Sequence, residues 1–213
     1  MSQTSPPIQP SAVIFDMGGV LIDWNPRHLY RKLLPDTVEM ERFLSEVTTN
    51  AWHVPQDHGG DPGEATRQLQ LRHPDKAELI AAFYGRFDEM LEHAIPGMAH
   101  LVERLHAAKV PMVLLSNAPA FLEAWLRGTG RSRHRFMGLF GDYVVSGAVG
   151  CAKPQAAIYE LACRRGGFAP GDAVFIDDSL ANVDGARAAG LHGIHHRSVD
   201  ETAAGLRALG LPA

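Results

Sequence analysis

Four times in this chain a short run of strand-forming apolar residues gives way to a polar residue able to do chemistry. Ala12-Val13-Ile14-Phe15 ends at Asp16, Pro111 to Leu115 at Ser116-Asn117, and Ala173 to Ile176 at Asp177-Asp178, while Tyr143 to Val145 is followed shortly by Lys153. Runs that are apolar throughout, without a polar alternation, belong to strands covered on both faces. Helical patterns separate them, around Met98-Leu101-Leu105, Phe121 to Leu126, Pro154 to Arg164 and Leu180 to Ala189, with a further strand at Gly193 to His196. This alternation predicts an α/β fold, a Rossmann-like doubly wound parallel sheet. In such a sheet the loops leaving the carboxyl ends of the strands share one crevice.

From about Asn25 to His93 the periodicity is helical instead, with Leu29-Leu33-Leu34, Phe43-Leu44-Val47 and Leu79-Phe83-Phe87-Leu91 three or four residues apart. A helical insert after the first strand is expected there, interrupted over Trp52 to Gly63 by a loop or a pair of broken turns, where Pro, Gly, His and Asp gather. The expected division is a loose tail at 1–11, an α/β core at 12–23 and 97–213, and a helical cap at 24–96. Met1 to Ser11 has neither the basic start nor the apolar stretch of a signal peptide. A net charge of -4 and the lack of any Lys or Arg run argue against a nucleic-acid partner. Charged and polar residues interrupt every apolar stretch, so no membrane partner is expected either. Cys151 and Cys163 are too few for a disulfide framework and fit reduced thiols in a cytoplasmic protein, a monomer or homodimer.

A crevice holding Asp16, Asp177 and Asp178 would repel itself unless a cation shared it. Mg²⁺ suits the task, because it takes oxygen ligands and keeps waters or phosphate oxygens in its shell. Lys153 and Ser116 would then face phosphoryl oxygens as charge develops in transfer. Plainer readings exist for some of these residues: Ser116-Asn117 as a cap of the next helix, Lys153 as a solvated residue before a helix opened by Pro154. Adjacent acids at the end of a buried strand have no such explanation. His192, His195 and His196 read as an edge-strand or surface group, with zinc the lesser reading.

Taken in order, these segments resemble the motifs of the haloacid dehalogenase superfamily over nearly the whole chain: Phe15-Asp16-Met17-Gly18-Gly19-Val20-Leu21, Leu115-Ser116-Asn117, Lys153-Pro154, and Ile176-Asp177-Asp178-Ser179 with Asn182 beyond. The resemblance implies a phosphatase in which Asp16 is the nucleophile and forms an aspartyl-phosphate. Ser116, Asn117, Lys153 and Gly19 would hold the phosphate, and Asp16, the main-chain oxygen of Gly18 and Asp178 would hold Mg²⁺. Asp177 and Asn182 would support them. The insert resembles the family's cap, which selects substrates. Asp23-Trp24-Asn25-Pro26 and Trp52 to Gly59 are similar to sugar-phosphate phosphatases of the glucose-1-phosphate type, which implies a small phosphorylated metabolite as substrate.

The chain departs from that pattern at Gly18, where most phosphatases of the family carry a second Asp that serves as general acid and base. General acid-base help is typically worth about 10²- to 10⁴-fold. Asp23, His53, Asp57 and His58 are candidate replacements, and together with Trp52 candidate substrate contacts. The other outcomes are a leaving group that needs little protonation or a quiet binding module; the rival enzyme reading is a metal-independent 2-haloacid dehalogenase, against which the Asp177-Asp178 pair argues.

Overall fold

The structure, a computed structural model, describes residues 9–213. Five parallel strands form the central sheet in the order β5-β4-β1-β6-β7, where β1 is Ala12–Phe15, β4 Met112–Ser116, β5 Asp142–Val145, β6 Ala173–Asp177 and β7 His192–His195. The chain therefore moves outward from β1 to one edge and then, from β6, to the other. The fold is the expected Rossmann-like α/β architecture, and the reversal point falls at β1, between β4 and β6.

Period-two alternation along the strands sorts their side chains onto two faces. Val13, Phe15, Leu114, Tyr143, Val174 and Ile176 point into one apolar cluster, and Ile14, Val113, Leu115, Val144 and Phe175 into the other. Every one of these residues is buried, which is why the strands read as unbroken apolar runs.

The first cluster continues without interruption into the insert. The two-residue strands β2 (Ile22–Asp23) and β3 (His93–Ala94) pair antiparallel where the excursion leaves and rejoins the core. Between them stand α1 (Pro26–Leu33), α2 (Thr37–Glu46), α3 (Asn50–Asp57), α4 (Pro62–Arg72) and α5 (Ala77–Gly85). Leu29, Tyr30, Met40, Phe43, Trp52, Ile80 and Phe83 fill the space among these helices. Asn25, Asp36, Thr49 and Asp61 cap the starts of α1 to α4 through side-chain oxygens.

The segment expected as a loop from Trp52 to Gly63 is a correction. Helix α3 runs through Asp57 despite Pro55, leaving only a turn before α4. Thr49 accepts from the Trp52 amide, the Gln56 side chain donates to the Trp52 carbonyl, and Trp52, His53, Gln56 and Asp57 are buried. Packing along one face thus outweighs a helix-breaking residue.

The remaining helices are α6 (Met98–Ala107), α7 (Phe121–Trp125), α8 (Arg131–Arg133), α9 (Ser146–Val149), α10 (Ala156–Gly166), α11 (Leu180–Ala188) and α12 (Val199–Ala208). The sequence reading had no element at α8, α9 or α12. Of the expected loose tail, residues 1–8 lie outside the described residues; Pro10 is buried and the Ser11 amide donates to Asp172, so the described part packs on the core. Among the described residues no helix is long and apolar enough to cross a membrane.

Candidate active site

Asp16, Ser116 and Asp177 stand at or just beyond the carboxyl ends of β1, β4 and β6, the three strands at the middle of the sheet. Lys153 comes in from the loop after β5. Its ammonium lies 2.6 Å from Asp16 Oδ1 and 2.7 Å from Asp177 Oδ2, and it also donates to the Leu115 carbonyl at 3.3 Å. All three ionic groups are buried. The Asn117 amide fixes Lys153 at its main chain, donating to the Lys153 carbonyl at 3.0 Å and accepting from its amide at 2.9 Å. Neither plain reading of these residues holds: α7 starts only at Phe121 with Ala120 as its cap residue, and Lys153 is not solvated.

Asp177 is fully engaged. Besides Lys153 it accepts from the Ser179 amide at 2.7 Å and from the Asn182 side chain at 3.1 Å on both oxygens. Asp178 faces outward into the crevice, and oxygens of Asp16, Asp177 and Asp178 lie within 4.8 Å of one another, a spacing a single ion can bridge. Three carboxylates thus cluster where one ammonium pairs with two of them. Burial pushes the Asp16 carboxyl up to about 7, and Asp177 and Asp178 add to the rise while Lys153 opposes it. Burial and Asp177 raise Asp178 as well. Burial alone would lower Lys153, but Asp16 and Asp177 outweigh it and hold the ammonium charged. An electrostatic deficit of this kind is relieved by one more positive charge.

Gly19 makes room for that arrangement. It adopts φ +74°, and a Cβ there would come within 2.3 Å of Asp178 Oδ2. At Gly18 a Cβ would meet only the Trp24 Cβ, at an ordinary 3.6 Å.

Above the carboxylates lies a crevice of about 360 Å³ whose far wall comes from the insert: Trp24, Asn50, His53, Val54, Asp57 and Phe87. Met17, Ala118, Pro119 and Leu122 complete its apolar lining from the core side. Of the candidate replacements and substrate contacts singled out in the sequence, the structure brings His53 and Asp57 to the crevice and leaves the others away from it. Asp23 pairs with His28 at 2.8 Å, Trp52 packs on Phe83 and Tyr84 and donates to the Ala65 carbonyl, and His58 is exposed. The sequence reading missed Trp24, Asn50, Val54 and Leu122 as wall residues. Trp24, in the short link between β2 and α1, carried a usable signal; Val54 and Leu122 look like ordinary members of helical stripes.

The histidines near the other edge do not form a metal group. His195 contacts the Asp178 carbonyl at 2.9 Å and His196 the Thr202 hydroxyl at 2.8 Å. Among the described residues Asp16, Asp177 and Asp178 are the one cluster with metal-ligand spacing.

The model of the hydrolase family described as haloacid dehalogenase-like hydrolase matches residues 10–190. The chain belongs to the haloacid dehalogenase-like hydrolases. This hydrolase is 27% identical to a sesquiterpene phosphatase, astK, of Aspergillus oryzae, over 86% of the chain and 88% of the relative. It is 28% identical to a phosphorylated carbohydrates phosphatase of Thermotoga maritima, over 86% and 83%. Its fold is also that of a haloacid dehalogenase family enzyme of Bacteroides thetaiotaomicron crystallised with magnesium and inorganic phosphate. That likeness has a TM-score of 0.65 at 21% identity and covers 89% of this chain and 96% of the other.

Proposed function

We propose that this hydrolase is a magnesium-dependent phosphatase that transfers the phosphoryl group of a small phosphorylated metabolite to Asp16 and then to water. The observation that carries the reading is the cluster of Asp16, Asp177 and Asp178, of which only Asp16 and Asp177 pair with the Lys153 ammonium, open on the Asp178 side to a crevice of metabolite size. Two relatives named as phosphatases and a neighbouring fold that holds magnesium and phosphate agree with it.

The donor set suits Mg²⁺: hard carboxylate oxygens with unrelieved negative charge, to which the Gly18 carbonyl is added on the family pattern. Asp16, Asp178 and the Gly18 main chain would hold the ion. Bound there, it supplies positive charge to the phosphoryl oxygens and lets a dianion approach carboxylates. The protein's own groups do the rest. Lys153 keeps the Asp16 carboxylate oriented and balances the incoming phosphate, Asp177 and Asn182 hold Lys153 and the strand end in place, and Ser116, the Asn117 backbone and Gly19 receive the phosphate. The Asp16 carboxylate attacks phosphorus as the leaving oxygen departs; water then cleaves the aspartyl-phosphate. The helical segment 24–96 acts as the cap that selects the substrate.

The test is phosphate release from a panel of sugar, terpenyl and aryl phosphates with and without Mg²⁺, beside an Asp16→Asn variant. Turnover should need Mg²⁺ and fall about 10⁴-fold or more in the variant, the scale of removing a covalent nucleophile. Undiminished phosphate release by Asp16→Asn, or halide release from 2-chloropropionate that a chelator leaves untouched, would overturn the reading.

A further inference from the structure

We propose that Asp57, reaching the crevice from the cap, is the general acid and base that Gly18 cannot supply. The inference rests on the phosphatase reading above. The sequence leaves four groups open for this role; two lie away from the crevice, and the third, His53, is tied at one nitrogen and held neutral by burial. Asp23 is committed to His28 outside the crevice, and His58 is exposed. His53 lines the crevice, but its Nδ1 is tied to the Tyr84 hydroxyl at 2.9 Å, and burial lowers its pKa to about 4, so it has no proton to give near neutrality.

Asp57 differs in each respect. It is 9% exposed and lines the same crevice as Asp16, Lys153 and Asp178. Its Oδ1 is shut away from water without a hydrogen bond, the nearest basic atom being His53 Nε2 at 3.6 Å. An oxygen with no donor in reach is far less costly in a neutral carboxyl than in a carboxylate. Burial accordingly pushes Asp57 up to about 7, and its place in the last turn of α3, near the negative end of that helix, works in the same direction. A carboxyl poised near neutrality can give a proton in one step and recover it in the next.

Its position is also fixed relative to the phosphate-binding loop. The Ser146 hydroxyl, at the start of α9, donates to the Asp57 carbonyl and accepts from the Ala118 amide at 3.0 Å, two residues after Ser116. Only glycine fits next to this link at position 147, where a Cβ would lie 2.7 Å from the Ala120 nitrogen and 2.8 Å from the Ala118 oxygen. The cap residue is thereby moored to the core loop it must work with. This mooring uses its main chain and leaves its carboxyl free.

The chemistry balances. As Asp16 attacks and the bond from phosphorus to the leaving oxygen breaks, the Asp57 carboxyl passes its proton to that oxygen and an alcohol departs. Asp57, now a carboxylate, takes a proton from the water that attacks the aspartyl-phosphate. The bond from phosphorus to the Asp16 oxygen breaks, inorganic phosphate leaves, and both acids return to their starting state.

The experiment compares wild type with Asp57→Asn, which keeps the shape and the main-chain mooring, on 4-nitrophenyl, phenyl and n-propyl phosphates with Mg²⁺. 4-Nitrophenolate leaves without a proton; propanol does not. The variant should lose about 10²- to 10³-fold in kcat/KM on propyl phosphate and less than about tenfold on 4-nitrophenyl phosphate. The wild-type rate on propyl phosphate should fall above pH 7 as Asp57 ionises, a limb absent in the variant. The groups around that titration are His53 on its own helix, Tyr84 on α5, and Asp16, Lys153 and Asp178 across the crevice. Placing the acid at the open position, in Gly18→Asp/Asp57→Asn, should recover part of the propyl phosphate rate. Equal losses on all three esters, or none, would overturn the proposal and leave the phosphatase reading standing. Wild type releasing phosphate from none of them would sink both.

Discussion

The floor and the far wall of the crevice hold buried carboxyls in opposite ways. On the floor Asp16 sits 2.6 Å from an ammonium and Asp177 accepts from three donors. On the wall, which Trp24, Val54 and Phe87 also line, Asp57 has an oxygen with no hydrogen-bond partner. Both carboxyls stand raised to about 7, but by different routes: for Asp16 burial, Asp177 and Asp178 raise it against the pull of Lys153, whereas for Asp57 burial acts with no ammonium opposing it. The floor pairs its carboxyls with an ammonium and leaves oxygens at the spacing one ion can bridge. The wall leaves its carboxyl oxygen unpaired. The proposed nucleophile and proton carrier would draw on these two settings, one from strand ends and the other from an inserted helix.

The largest expected effect comes from breaking the floor's balance. Lys153→Met keeps the aliphatic stem and removes the charge, leaving the Asp16 and Asp177 carboxylates without their cation. Loss of one partner from a buried ion pair typically costs about 3–5 kcal/mol, and a lower urea midpoint at pH 7 would register it. Because acid protonates the stranded carboxylates, the deficit should shrink toward pH 4. A variant as stable as wild type at pH 7 would mean that the floor does not depend on this charge.

The wall should respond with the opposite sign. The Asp57 carboxyl stands at about 7 in the folded protein against 3.8 for an ordinary aspartate. Between those values the native state binds more protons than the unfolded chain, so stability falls as pH rises through the window. Asp57→Asn removes that penalty: it should match wild type below pH 4 and exceed it at pH 8 by something on the order of 2–4 kcal/mol. Denaturant melts of both proteins across this range would show a widening gap. A gap independent of pH would contradict the account of Asp57 as a strained acid. Stability gained where activity is lost is the usual mark of a residue kept for function.

The same contrast explains what the sequence disclosed. Asp16, Ser116, Lys153 and Asp177-Asp178 could be placed together because each follows an apolar run whose burial fixes it in the sheet, and loops at strand ends converge by topology. The wall has no such rule. Asp57 and Ser146 meet across 89 positions of chain, and nothing local to either announces the other. Pro55, Gly59 and Gly60 are strong breakers, so the segment reads as a loop, whereas the structure makes it a capped helix with a buried face. Asp57 was a candidate on residue type alone; burial and a missing hydrogen bond single it out. In the core, α12 escaped notice because its small residues, Ala203, Ala204 and Gly205, carry little periodic signal.

The smallest expected effect, and the finest division between the two regions, lies in the neighbours Gly18 and Gly19. A methyl group at Gly19 points to the floor: it would fall 2.3 Å from Asp178 Oδ2, on a backbone at φ +74° that side chains disfavour by about 1–2 kcal/mol. Gly19→Ala should therefore displace Asp178, lower stability by about that amount, and weaken Mg²⁺ activation by roughly tenfold, the lower end of what misplaced ligand support costs. A methyl group at Gly18 points to the wall instead, 3.6 Å from Trp24 Cβ, on a backbone without positive φ. Gly18→Ala should melt within about 1 kcal/mol of wild type, if anything above it, since alanine restricts the unfolded chain more than glycine. Its Mg²⁺ titration should overlay that of wild type. If the two alanine variants instead suffer alike, adjacent positions serve one function, and the separation of ion-paired floor from unpaired wall fails at the point where they come closest along the chain.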